Sequence, residues 1–153
     1  DAGATKTTAR LDDGHWVING SKQFITNSGT DITKLVTVTA VTGTRENGKK
    51  AISTIIVPTS TPGFTAEPAY NKVGWNASDT HPLTFADARV PVENLLGEEG
   101  RGVNVLMSGL DYERIVLAGG PLGIMAAAMA MKMRPAKTSR QALERVMSVM
   151  FPP

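Results

Sequence analysis

The 153-residue chain has no cysteine. That excludes a disulfide framework and any thiolate metal site, and it favours an intracellular setting. Histidine is nearly as scarce: His15 and His81 stand apart, with no ligand spacing around either. Two Trp, two Tyr and four Phe leave little for base stacking, and a net charge of +2, evenly spread, makes no basic face for nucleic acid. No apolar run is expected to reach membrane-spanning length, and the start of the chain lacks a signal-peptide pattern. Opening on Asp1-Ala-Gly-Ala-Thr without methionine, the chain reads as a piece of something longer.

What is present is the material for one domain, or one and a part, since 41% hydrophobic and 20% charged residues is an ordinary globular balance. The first two-thirds are punctuated like hairpins. A Thr-rich strand over residues 5–11 is followed by the turn signal Asp12-Asp13-Gly14, then by a short strand over residues 15–20 ending in its own Asn19-Gly20 turn. Residues 34–41 alternate, a polar loop carries Asn47-Gly48, and residues 51–57 run back until Pro58 stops them. Residues 64–69 and 83–90 are further strand candidates. Five or six short strands with regular turns predict a small antiparallel barrel or sandwich over residues 1–98. The Gly-rich stretch of residues 94–102 then marks a boundary. It lacks the strand–helix context of a phosphate cradle and reads as a hinge and helix start near Arg101. Residues 99–153 form the second, helical part, one or two helices of an incomplete bundle in an α+β chain, with Gly119-Gly120-Pro121 expected to weaken or kink the helix.

Within Val103-Asn-Val-Leu-Met-Ser-Gly-Leu-Asp-Tyr-Glu113-Arg-Ile-Val-Leu-Ala118, helical spacing aligns Val103, Leu106, Leu110, Glu113 and Leu117 on one stripe. Glu113 stands where the pattern asks for Leu or Ile, and Gly109, Leu110, Val116 and Leu117 offer it no basic partner at three or four residues. Two readings stay open. A desolvated carboxylate has a raised pKa and serves as a proton acceptor; otherwise the acid pairs with another part of the fold or faces water.

Three segments together resemble the acyl-CoA dehydrogenases: Trp16-Val-Ile-Asn-Gly-Ser-Lys-Gln-Phe-Ile-Thr-Asn27, Val90-Pro-Val-Glu-Asn-Leu-Leu-Gly-Glu-Glu-Gly-Arg-Gly102, and Gly109-Leu-Asp-Tyr-Glu-Arg-Ile-Val-Leu-Ala-Gly-Gly-Pro-Leu-Gly-Ile-Met125. The match covers residues 1–125, and the third segment is most similar to isovaleryl-CoA dehydrogenases and related branched- or long-chain members. The resemblance implies the family's middle β domain and the start of its C-terminal helical domain. It also implies FAD as cofactor, an acyl-CoA thioester oxidised to its trans-2-enoyl product, an electron-transfer flavoprotein as acceptor, and a homotetramer for the full-length enzyme. The setting would be the bacterial cytoplasm or the mitochondrial matrix, in leucine or fatty-acid breakdown.

Residue by residue, Phe24, Ile25 and Thr26 fall where the family writes Trp-Ile-Thr or Trp-Ile-Ser against the flavin. A flat ring there shields the isoalloxazine, and a hydroxyl bonds its reactive nitrogen. Without the family, Phe24 and Ile25 are strand core and Thr26 a turn residue. Glu113 falls at the catalytic base of the isovaleryl-type enzymes, which takes the α-proton of the thioester. Asp111, Tyr112 and Arg114 flank it at positions that contact acyl-CoA, and Asp111 with Arg114 also reads as a plain intrahelical pair. Asn104 would line the acyl channel. Lys49 and Lys50, with Arg45, are candidates for the coenzyme A phosphates, although solvated hairpin charges look the same. The Thr-Glu-Pro-x-x-Gly-Ser run belongs just upstream of Asp1. The resemblance fades over residues 126–153, which lack the Arg-x-x-Phe-Gly signature that grips FAD from a neighbouring subunit. The alternative is a non-catalytic β-barrel module of the same lineage that binds a partner or part of a ligand.

Overall fold

The computed structural model describes residues 4–132 and Glu144; most of the divergent tail expected over residues 126–153 lies outside them. Seven strands, β1 (Thr8–Asp12), β2 (His15–Thr26), β3 (Leu35–Thr44), β4 (Lys50–Pro58), β5 (Phe64–Ala66), β6 (Thr80–Pro91) and β7 (Leu95–Leu96), precede one helix, α1 (Gly102–Lys132). They form a single sheet in the order β5-β6-β2-β1-β3-β4-β7. The chain divides into two compact units, Asp1–Ser108 and Gly109–Pro153. The first contains the sheet and the opening turns of α1; the described part of the second is the remainder of α1 and Glu144.

The hairpins arise from their turn residues. Asp13 and Gly14 both take positive φ between β1 and β2, the conformation a tight hairpin turn demands. Between β3 and β4 the Gly48 N–H donates to the Arg45 carbonyl at 2.9 Å, with Gly48 at φ +75°. The Asn19-Gly20 pair, expected to close a turn, instead sits inside β2, which runs on to Thr26. Gly20 takes φ +134° at a register shift against β6, and a Cβ there would lie 2.8 Å from the Thr7 backbone. Its special conformation therefore serves a bulge with close backbone approach, which a turn reading of Asn-Gly could not separate from a hairpin.

The expected all-antiparallel sheet is corrected in one place. β1 pairs antiparallel with β2, but its other edge meets β3 in parallel at Thr8↔Val41, with the Val41 N–H donating to the Thr7 carbonyl at 2.8 Å. β2 is already occupied by β1 and β6, so the β3–β4 hairpin joins the sheet at the other edge of β1. β5 ends at Ala66, short of the expected residue 69, just before Pro68, which has no N–H to give a ladder. β7 was not anticipated; two residues carry no readable period.

Alternation supplies the core. Ala9, Trp16, Ile18, Val36, Val38, Ala40, Ile55, Val57, Leu83, Phe85, Ala88 and Val90 make one buried cluster. Every member of the cluster comes from a strand of the one sheet. β4 is buried on both faces at residues 52–55, because the chain leading into α1 lies against it. The Gly100 N–H donates to Ser53 Oγ at 2.8 Å, and Thr54 Oγ1 donates to the Gly102 carbonyl at 3.1 Å.

α1 begins within one residue of the expected Arg101 and continues through Pro121 without a break. Its apolar stretch was expected to fall short of a membrane span. In the structure, residues 102–131 are long and apolar enough, by length and composition, to cross a bilayer. Gly119, Gly120 and Pro121, read as breakers, are carried inside the helix, and no charged residue lies between Arg114 and Lys132. Residues 111–130 are all exposed.

A Cβ on Gly102 would stand 2.5 Å from both the Ser53 carbonyl carbon and the Thr54 nitrogen. Gly102→Ala is expected to destabilise the first unit by about 1–3 kcal/mol through overpacking, measured by urea unfolding. An unchanged midpoint would show that the approach to α1 yields freely.

Candidate functional site

In the first unit the candidate site is the bulged end of β2. Against β6, β2 advances from Lys22 to Ile25 while β6 advances only from Leu83 to His81, so β2 carries one extra residue there. The extra residue puts Phe24 at φ +59°, a conformation costly for a bulky side chain. Phe24 is 69% exposed and stacks on Tyr70, ring centroids 5.0 Å apart at 27°. Ile25 turns inward and packs against the core, whereas Thr26 is exposed. The Thr26 hydroxyl makes no hydrogen bond among the described residues. Phe24 and Thr26 therefore present a flat ring and an unused hydroxyl two residues apart.

Behind this end lies a cluster that the sequence did not disclose. His81, across from Ile25 in the ladder, sets Nδ1 2.5 Å from the Glu67 carbonyl and Nε2 2.6 Å from Asp79 Oδ1. The other Asp79 oxygen accepts the Gly29 N–H at 3.1 Å. The Glu67 carbonyl and the Asp79 carboxylate hold the His81 pKa above its ordinary value. Burial acts to raise Asp79, but the bonds from His81 and Gly29 outweigh it and leave the carboxyl below its ordinary value. Lone His81, two residues from Asp79, was the only available signal. Lys22, half-buried between Thr5 and Thr39, is pushed down by desolvation.

The expected phosphate-binding residues separate. Arg45 and Asn104 line one cavity of about 390 Å³ together with Thr44, Ala51, Glu99, Gly100 and Arg101. Lys49 and Lys50 do not line it; both are exposed, and Lys50 Nζ donates to the Thr5 carbonyl at 2.9 Å. Arg45 is partly committed, donating to the Gly100 carbonyl at 2.5 Å.

In the second unit, Asp111, Tyr112, Glu113 and Arg114 all lie exposed on α1. Arg114 and Asp111 approach to 3.8 Å as a solvated pair at three-residue spacing, which adds little. The Glu113 carboxylate leans back over Gly109, where an added Cβ would be 3.7 Å from Oε1. The stripe expected to bury it is itself open at Leu117, 70% exposed, so Glu113 is not desolvated among the described residues. Among the described residues no three His, Cys, Asp or Glu side chains gather as metal ligands.

Residues 1–88 match the family model described as acyl-CoA dehydrogenase, middle domain. The chain is 45% identical over 129 residues to a mitochondrial 2-methylacyl-CoA dehydrogenase of Solanum tuberosum, covering 84% of this chain and 31% of the relative. To a mitochondrial isovaleryl-CoA dehydrogenase of Pongo abelii it is 41% identical, covering 84% and 30%. A solved acyl-CoA dehydrogenase from Bacillus anthracis, complexed with FAD, superposes with a TM-score of 0.72 at 35% identity, covering 90% of this chain and 24% of that one. The chain thus spans about a third of the length of these curated relatives.

If the stacked rings hold each other, a double-mutant cycle on Phe24→Ala and Tyr70→Ala should give a coupling of about 0.5–1.5 kcal/mol in urea unfolding. Additive single effects would show two rings that merely sit side by side.

Proposed function

The chain belongs to the acyl-CoA dehydrogenase family, of which it carries the middle domain and the start of the helical domain, and from that premise we propose that it is the part of an FAD-dependent enzyme that presents one face of the flavin and the catalytic base. The whole enzyme would oxidise a short branched acyl-CoA at the α and β carbons. Relatives named for 2-methylacyl-CoA and isovaleryl-CoA support the branched chain. Mitochondrial and bacterial relatives alike support a matrix or cytoplasmic setting, and the family resemblance implies an electron-transfer flavoprotein as acceptor and a homotetramer for the full-length enzyme. The domain boundary is proposed near residue 98.

The observation that carries the reading is the end of β2, where the exposed Phe24 ring and the unused Thr26 hydroxyl suit a flat heteroaromatic with an acceptor at its edge. When bound, FAD would supply the two-electron acceptor that no side chain of this chain can be. Phe24 would cover the ring from water, and Thr26 Oγ1 would donate to its edge. Glu113 would remove the α-proton, made acidic by the thioester carbonyl; water excluded by neighbouring helices would raise its affinity for that proton. Asn104 would face the acyl-CoA channel, with Arg45 in the same cavity, and Asp111, Tyr112 and Arg114 would flank the thioester. Lys49 and Lys50 would meet the coenzyme A phosphates from the hairpin.

In the full-length enzyme, Glu113→Gln should keep flavin and acyl-CoA binding while turnover falls by about a hundred- to ten-thousand-fold, because Gln retains shape but not basicity. Near-normal turnover would assign the base to another residue. For the 153-residue chain taken alone the proposed reading is the non-catalytic alternative, since Glu113 is exposed and the chain spans about a third of its relatives' length. Its absorbance after purification should lack a stoichiometric flavin band, and a yellow chain turning over isovaleryl-CoA would refute this.

A further inference from the structure

Three stretches of chain meet at His81: the β2 end with the loop after it, the segment of residues 67–79, and the start of β6. The Asn27 N–H donates to the Asp79 carbonyl at 3.0 Å, the Glu67 N–H to the Pro82 carbonyl at 2.9 Å, and the Tyr70 N–H to the Thr80 carbonyl at 3.0 Å. His81 lies at their junction with its side chain 13% exposed. Both its ring nitrogens face acceptors, a backbone carbonyl and a carboxylate, so both must donate and only the imidazolium satisfies them together. Gly29 is seated against the ring; a Cβ there would come within 2.2 Å of Nε2. The same 67–79 segment carries Tyr70, the stacking partner of Phe24.

We infer that His81, held as an imidazolium between Glu67 and Asp79, is a positioning residue that fixes the exposed end of β2, Phe24 and Thr26 included, and releases it when the proton leaves. The significance of this end for a flavin rests on the function proposed above; the clip itself does not. The charged groups bearing on His81 are the Asp79 carboxylate and, through Asp79, the Lys72 ammonium, which donates to the Ser78 carbonyl and to Thr80 Oγ1. Glu67 contributes its backbone carbonyl, and the loop after β2 contributes backbone N–H groups. Because folding raises the His81 pKa above 6.5, the clip's stabilisation is full below pH 6.5 and is lost as pH rises through the higher folded value.

The 153-residue chain has two histidines, so ring-nitrogen NMR with His15→Gln as the assignment control reads His81 directly. The expected result is a His81 titration above the ordinary imidazole value. Over the same pH interval, amide protection at Asn27 and Gly29, corrected for intrinsic exchange, should fall about tenfold. His81→Gln, Asp79→Asn and Gly29→Ala should each lower that protection at acidic pH and abolish its pH dependence. Gly29→Ala reaches the clip without removing a ring or a charge, so a fold lost to one substitution does not remove the test. An ordinary or lowered His81 titration, or protection indifferent to pH and to all three substitutions, would overturn the inference. In the full-length flavoenzyme, the flavin's reduction potential should follow the His81 titration and lose that dependence in His81→Gln. If the amides respond and the potential does not, the clip stands and the flavin role of Thr26 is refuted.

Discussion

The pairing of β2 with β6 is the constraint on which the rest of the first unit depends, because it contains two bulges of opposite sense. Between Ile18↔Ala88 and Gly20↔Phe85 the additional residue is on β6; between Lys22↔Leu83 and Ile25↔His81 it is on β2. Each bulge exchanges the faces of the strand that carries it. On β2 the even positions Trp16 and Ile18 are buried, yet beyond the second bulge Ile25 packs inward, and Phe24 and Thr26 are exposed. Without the extra residue, Phe24 and Thr26 would share the face of Trp16 and Ile18. The strand therefore builds the core with one half and a presented edge with the other.

A strained ring at positive φ needs support from outside its own strand, and the support arrives through residues 67–79. That segment has little regular structure, so its position depends on a few backbone hydrogen bonds together with side-chain ones. Asp79 accepts from Gly29 on one side and holds His81 on the other, while Tyr70 stacks on Phe24. A charged histidine suits this place better than an apolar residue. Both of its neighbours are acceptors already inside the fold, and leaving either unbonded would cost about 1–3 kcal/mol.

The hairpins, the Asn47-Gly48 turn and the start of α1 were legible in the sequence because each is written in local punctuation: a Gly at positive φ, a Pro at a strand end, a change of period. The bulges were not, since Asn19-Gly20 carries the same residues whether it turns the chain or shifts a register. The parallel contact of Thr8 with Val41 depends on which strand edges remain free, a global property with no local sign. Phe24, Ile25 and Thr26 were singled out through family resemblance, and residue pattern alone would have buried Phe24. Tyr70, Asp79 and His81 went unnoticed because the ring that Tyr70 stacks on is far away in sequence and the His81–Asp79 pair is completed by backbone groups of Glu67 and Gly29, which any residue could supply. Arg45 and Asn104 share a cavity although 59 positions separate them, a closeness the hairpin alone could not indicate.

Glu113 marks the limit of reasoning from periodicity. A helical stripe says which residues share a face, but not what covers that face. On α1 the described residues beyond Leu110 are apolar nearly all round and exposed, and a helix of that composition is stable in water only when other helices or lipid surround it. On the proposed reading the site is built in two steps. The strand end at Phe24 and Thr26 is formed within the first unit by its own bulge. The carboxylate of Glu113 becomes a strong proton acceptor only when a cover of neighbouring helices removes its water, since desolvation is what disfavours its charged form.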